Sequence, residues 1–248
     1  MRLFIFIFIL ILFTSQNLSA RTEIEVLAPQ EPGDEYWQAL SKEVAKELVD
    51  FANTSLPIND ELTLQLGGND GPLFDPQTLT IQIPYFFLEE IHQRYSNAEP
   101  VLEDVSADEA TQFALLHTLL HEYGHAYIFS WDIPIVGKEE DAVDNFATII
   151  LLDKFNNDHA AFVAADLFAL EDLDTDAFTE SHFWGEHSLD AQRYAASLCL
   201  IYGSNPEKYA DLLNDELRDM NRDLFCVEEY ESKRKNWSRI INSYSGKK

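Results

Sequence analysis

The sequence predicts an α+β fold, in which a small antiparallel β-sheet packs on one long helix and the C-terminal half is mostly helical. Residues 62–66 and 79–83 alternate apolar and polar side chains, the two-residue period of half-buried strands. Residues 106–129 hold the helical period and open on Ser106-Ala107-Asp108-Glu109, the pattern of a capping box. Beyond residue 139, apolar side chains recur at three- and four-residue spacing in one segment after another, with no strand pattern between them.

The chain begins with Arg2 and an unbroken apolar run from Leu3 to Phe13, then polar residues and the small Ala20. Such a run is too short to span a bilayer and suits the core of a signal peptide, so residues 1–20 are expected to be cleaved near Ala20. An uncleaved anchor is the alternative. The expected mature protein, residues 21–248, is a soluble, exported, single domain, periplasmic or secreted. The full sequence has 44 acidic and 17 basic residues and a formal charge of -27, which repels nucleic acid and anionic lipid surfaces. Cys199 and Cys226 are an even pair in an exported chain, and either one disulfide or two buried thiols fits them.

Taken in order, residues 34–53 read as an amphipathic helix with Leu40, Val44, Leu48 and Phe51 on one face. The segments 62–66 and 79–83 read as a β-hairpin with an elaborated loop, and Pro84 ends the second strand. That strand, Leu79 to Ile83, is expected to be the sheet edge that lines a cleft. A short helix over 85–95 and a loop follow, and the capped helix then runs to about Phe129. A later helix over 189–202 ends at Gly203, and two more helices are expected over 206–220 and 227–244. Asp172, Asp174 and Asp176 alternate as calcium ligands do, but Ala177 stands where an EF-hand needs glycine, so this is a solvated acidic loop.

The chemistry concentrates in His121-Glu122-Tyr123-Gly124-His125. Helix positions i and i+4 share a face, so both imidazoles can reach one metal ion, with Glu122 beside it as a base. A buried helix that merely carries two histidines is the alternative. Gly124 inside the helix costs about 1 kcal/mol relative to alanine, which points to a close approach by another segment or by substrate. Catalytic zinc usually takes a third protein ligand, and the next helix offers Glu140 and Asp144 one turn apart on an apolar stripe. Such a pair needs a neutralising partner, so Glu140 is expected to bind the metal and Asp144 to hold a ligand histidine by its ring N–H. Compensation of the helix dipole is the other reading of these acids.

At these residues the chain resembles the gluzincin-type zinc peptidases, thermolysin among them, in which H-E-x-x-H is followed by a helix bearing E-x-x-x-D. It is also similar to a family of bacterial exported proteins classed as candidate zinc metallopeptidases, through "FDPQTLTIQIPY", "HEYGHA", "GKEEDAVDNFA", "EHSLDAQRY" and "CLIYGSNPE". The resemblance covers most of residues 60 to 226. It implies a zincin-like fold, Zn2+ held by His121, His125 and Glu140, and peptide or protein substrates cleaved by a water that Glu122 activates. The shorter spacer after His125 leaves the choice between Glu139 and Glu140 open. It further suggests His187 as an oxyanion stabiliser, against the reading of an ordinary surface or core histidine. A metal-binding module of the same fold without proteolytic activity is the alternative function.

Overall fold

A computed structural model describes residues 21–98, 102, 104–175 and 177–244; the expected signal peptide lies outside them. Strand β1 (Thr22–Val26) leads into α1 (Asp34–Ser55), and β2 (Leu62–Leu66), β3 (Leu73–Asp75) and β4 (Thr80–Ile83) follow. Next come α2 (Tyr85–Asn97), α3 (Ala107–Trp131) and α4 (Glu139–Ile150), the last running into a π turn at Leu151–Phe155. Helices α5 (Asp158–Asp172), α6 (Glu180–Trp184), α7 (Asp190–Ser204), α8 (Asp215–Asp219) and α9 (Arg222–Tyr244) complete an α+β, mostly helical architecture.

The sheet is mixed rather than antiparallel. Its order is β1-β2-β4-β3, with β1, β2 and β4 parallel and β3 antiparallel to β4. The expected hairpin between residues 62–66 and 79–83 is therefore wrong in its pairing. Alternation decides which side chains face the core, and both strands bury Leu62, Leu64, Leu66, Ile81 and Ile83, but it says nothing about partner or direction. The connection between them holds a strand of its own, and the tight reversal lies at Asp75, whose carboxylate accepts from the Gln77 N–H and the Thr78 hydroxyl, each at 2.8 Å. For the same reason β4 is an interior strand, and the edge falls to β3. β1 was not anticipated: Thr22, Ile24 and Val26 alternate with glutamates, and the run is short and beside the expected cleavage site.

Helix α3 is the centre of the molecule. Its capping box forms as expected, with Glu109 N–H donating to Ser106 Oγ at 3.3 Å and Ser106 N–H donating back to Glu109 Oε2 at 3.1 Å. From Ala110 to Ile128 it is buried on almost every face, the mark of a helix enclosed by others, and it touches α1, α2, α4, α5 and the β3–β4 pair. Tyr123 Oη donates to the Leu56 carbonyl at 2.6 Å, tying the helix to the end of α1. Gly124 meets α4, and a Cβ there would lie 2.9 Å from Val143 Cγ1 and 3.1 Å from Phe146 Cδ1. The close approach expected from its sequence position is made by these two side chains.

Gly203 lies inside α7 rather than ending it. An added Cβ there would collide with the Cys226 carbonyl, so the glycine serves the contact between α7 and α9. A disulfide between Cys199 and Cys226, with Cα atoms 4.9 Å apart, locks that contact. Closing a loop of 27 residues removes chain entropy worth about 3 to 4 kcal/mol, so reduction, or Cys199→Ala with Cys226→Ala, is expected to lower Tm by about 10 °C. Differential scanning calorimetry with and without reductant checks this.

Candidate metal centre

His121 and His125 project from the middle of α3, and α4 crosses close to them because Gly124 leaves no side chain in the way. That crossing puts the first turns of α4 opposite the imidazoles. His121 Nε2 and His125 Nε2 lie 3.3 Å apart, and Glu140 Oε2 stands 3.2 Å from the first and 3.4 Å from the second. Ligand bonds of roughly 2.0 to 2.2 Å around a tetrahedral ion set donor separations of about 3.3 to 3.6 Å, and these three atoms form such a face.

Glu140 Oε2 is buried and makes no hydrogen bond of acceptable geometry, although three imidazole nitrogens surround it. An orphaned carboxylate oxygen aimed at two Nε2 lone pairs fits a cation rather than a proton. His121, His125 and Glu140 are the group of metal-capable side chains found among the described residues.

The outer nitrogens of both rings are fixed. His121 Nδ1 lies 2.8 Å from Asp144 Oδ1, and His125 Nδ1 lies 2.8 Å from Glu139 Oε1. With protons held on Nδ1, both Nε2 atoms are left as acceptors facing inward. Adjacent acids at the start of α4 thus point to different tasks: Glu140 faces the Nε2 atoms and Glu139 orients His125. Asp144 is in turn gripped by Arg193 of α7, through Nε at 2.8 Å and a second nitrogen at 3.0 Å. Glu139 as an orienting group, and Arg193, went unnoticed in the sequence; a basic residue inside an otherwise apolar helix was the available signal.

Charge follows from this packing. Burial opposes a proton on His121, but the hydrogen bond to Asp144 and the nearby Glu140 carboxylate outweigh it and raise its pKa to about 9 in the metal-free protein. Burial also opposes ionisation of Glu140 and Asp144, yet the three imidazoles around Glu140, and the hydrogen bonds of His121 and Arg193 to Asp144, hold both far below the usual carboxylate range. Burial pushes Glu122 upward, while His121 and His125 pull it back.

Glu122 is 7% exposed and lines an open cleft with both α3 histidines, Glu140 and His187. His187 lies on the segment between α6 and α7, largely exposed, with Nε2 3.0 Å from Glu140 Oε2. Lys138 ties that segment down, donating from Nζ to the Gly185 carbonyl at 3.2 Å and the His187 carbonyl at 2.8 Å. Across the cleft stand Leu73, Phe74 and Pro76 of the edge strand and its turn. Residues 21–60, the stretch long enough for an inhibitory segment, build β1 and α1 and do not line the cleft.

Of the residues expected from the sequence, His121, Glu122, His125, Glu140 and His187 line one cleft, and Asp144 stands behind His121. The profile of a family described as putative metallopeptidase matches residues 30–241 of the chain. No curated protein and no solved structure matches it.

Metal uptake must expel the His121 proton wherever that ring is protonated. Its raised pKa makes this so below about pH 9, so apparent affinity is expected to fall about 100-fold between pH 8 and pH 6, with at least one proton released per ion. Calorimetric zinc titration in buffers of different ionisation enthalpy reads both quantities. Zinc competition against a chelator separates the adjacent acids: Glu140→Gln should abolish tight binding, whereas Glu139→Gln and Asp144→Asn should each cost about 10- to 100-fold.

Proposed function

The chain belongs to this metallopeptidase family, and from that premise we propose that it is an exported zinc-dependent peptidase which hydrolyses peptide bonds with Glu122 as general base. The observation that carries the reading is the face of three donors, His121 Nε2, His125 Nε2 and Glu140 Oε2, with Glu122 beside it in the same cleft. Two imidazoles and one carboxylate suit zinc in its catalytic form, in which three protein ligands leave a position open. Zinc held there supplies a Lewis acid that polarises the scissile carbonyl and brings the pKa of water to near 7.

The remaining steps belong to the chain's own side chains. Glu122 takes the proton of the attacking water and passes it to the leaving amine, and its buried position keeps it a stronger base than a solvated carboxylate. His187, at the open side of the cleft, donates from Nε2 to the developing oxyanion. Lys138 holds the His187 backbone in place for that contact. An extended substrate pairs with β3, the edge strand on the cleft wall, which presents unpaired backbone groups for one further strand.

Export agrees with the disulfide, since such bonds persist in oxidising compartments. No helix among the described residues is long and apolar enough to cross a membrane. With a formal charge of -27, the surface turns away nucleic acid and anionic lipid, which leaves peptides or proteins as partners.

Glu122→Gln keeps the side-chain size and removes the basic oxygen, so zinc binding should persist while turnover drops by about 10²- to 10⁴-fold. His187→Ala should lower kcat by about 10²-fold with zinc content intact. A peptide-library digest read by mass spectrometry, alongside metal analysis, measures both. Undiminished cleavage by Glu122→Gln would falsify the mechanism and favour a metal-binding module without peptidase activity.

A further inference from the structure

A second hollow opens off the cleft, and the two share His121, Glu122, His187 and Pro72. Its volume is about 150 Å³, similar to an engineered cavity that takes benzene, so it has room for one side chain. The apolar part of the wall comes from Phe87, Leu167 and Phe168.

The polar part of the wall holds Thr118, His117, Glu171 and Arg193, beside His121, Glu122 and His187 of the cleft. Thr118 spends its hydroxyl proton on the Ala114 carbonyl at 3.0 Å and keeps its lone pairs. His117 Nε2 is buried without a hydrogen-bond partner. Burial drives the pKa of that ring down to about 3, so it stays neutral and does not repel a cation. The half-buried Glu171 carboxylate has no hydrogen-bond partner among the described residues.

The cations are already engaged, including Arg193, which lies in the wall itself. Arg193 is held by Asp144 at 2.8 Å, lies 3.6 Å from Asp190, and stacks 3.9 Å over the Phe168 ring. Arg94, which also acts on Glu171, is bound to Asp174 at 2.7 Å. The hollow is left with spare acceptors and negative charge.

We propose that this hollow is a specificity pocket for a basic side chain, lysine or arginine, at a residue flanking the scissile bond, with Glu171 as its counter-charge and His117 as a buried acceptor. The proposal rests on the peptidase reading for its setting beside the scissile bond. A lysine ammonium carries three donors and no acceptor, and an arginine guanidinium five donors, which the unpaired acceptors of Glu171 and His117 can take. The apolar stem of either side chain lies along Phe168 and Leu167. An acidic side chain would face Glu171, and an apolar one would bury Glu171 and His117 Nε2 unsatisfied.

The test uses peptides that differ at one position, lysine, norleucine or glutamate, with product masses locating that position relative to the cut. The zinc-loaded parent should favour lysine over norleucine by about 10-fold or more in kcat/KM. Glu171→Gln should remove most of that preference while cleavage of the norleucine peptide stays within about twofold, and Glu171→Lys should turn the preference toward glutamate. Calorimetric binding of the same peptides to zinc-loaded Glu122→Gln protein gives a readout free of turnover. Lysine-selective, Glu171-dependent binding by a protein whose parent cleaves nothing would uphold the pocket and sink the peptidase reading. A parent that prefers norleucine, or a lysine-to-norleucine ratio that Glu171→Gln leaves unchanged, overturns the proposal.

Discussion

A carboxylate oxygen taken out of water must be compensated, and Glu140 Oε2 is buried, without a hydrogen bond, among three imidazole nitrogens at 3.0 to 3.4 Å. Removing an ion from water costs several kcal/mol even after relaxation, so an isolated anion here would open the seam between α3 and α4. The surroundings supply the compensation in layers. Asp144 and Glu139 fix the outer nitrogens of His121 and His125, which turns both inner nitrogens toward Glu140. Arg193 neutralises Asp144 from the far side and is itself braced on Phe168. The disulfide and the Lys138 contacts then secure α7 and the segment that carries His187.

This layering explains why the inner part of the site was legible in the sequence and the outer part was not. Helical periodicity alone put His121 with His125 on one face of α3 and Glu140 with Asp144 on one face of α4, with Glu122 beside the first pair. Arg193 reaches Asp144 from another part of the chain, and only tertiary packing brings it there, while His187 was expected from the resemblance and not from any periodicity. The choice between Glu139 and Glu140 was open for a related reason. Adjacent helix positions differ by about 100° in direction, and which of them faces α3 depends on how α4 is rotated about its axis.

The sheet divides in the same manner. Burial of Leu64, Leu66, Ile81 and Ile83 could be read from alternation, because a strand's inner face is a local property. Strand order is not local. The Asp75 turn draws β3 into pairing with β4, so the cleft wall is built by a three-residue strand too short to give a periodic signal of its own. Its residues Leu73 and Phe74 could equally have been loop.

Gly124 carries a consequence for how this protein can vary. The acids that orient and complete the donor face, Glu139, Glu140 and Asp144, all ride on α4, and α4 rests on the bare backbone at residue 124 through Val143 and Phe146. A methyl group added there would move the helix as one body and shift all three carboxylates together by tenths of an ångström, enough to spoil a donor face with edges of 3.2 to 3.4 Å. Functional descendants of this chain are therefore confined to paired exchanges along the seam, with bulk surrendered at residue 143 or 146 for any bulk acquired at 124.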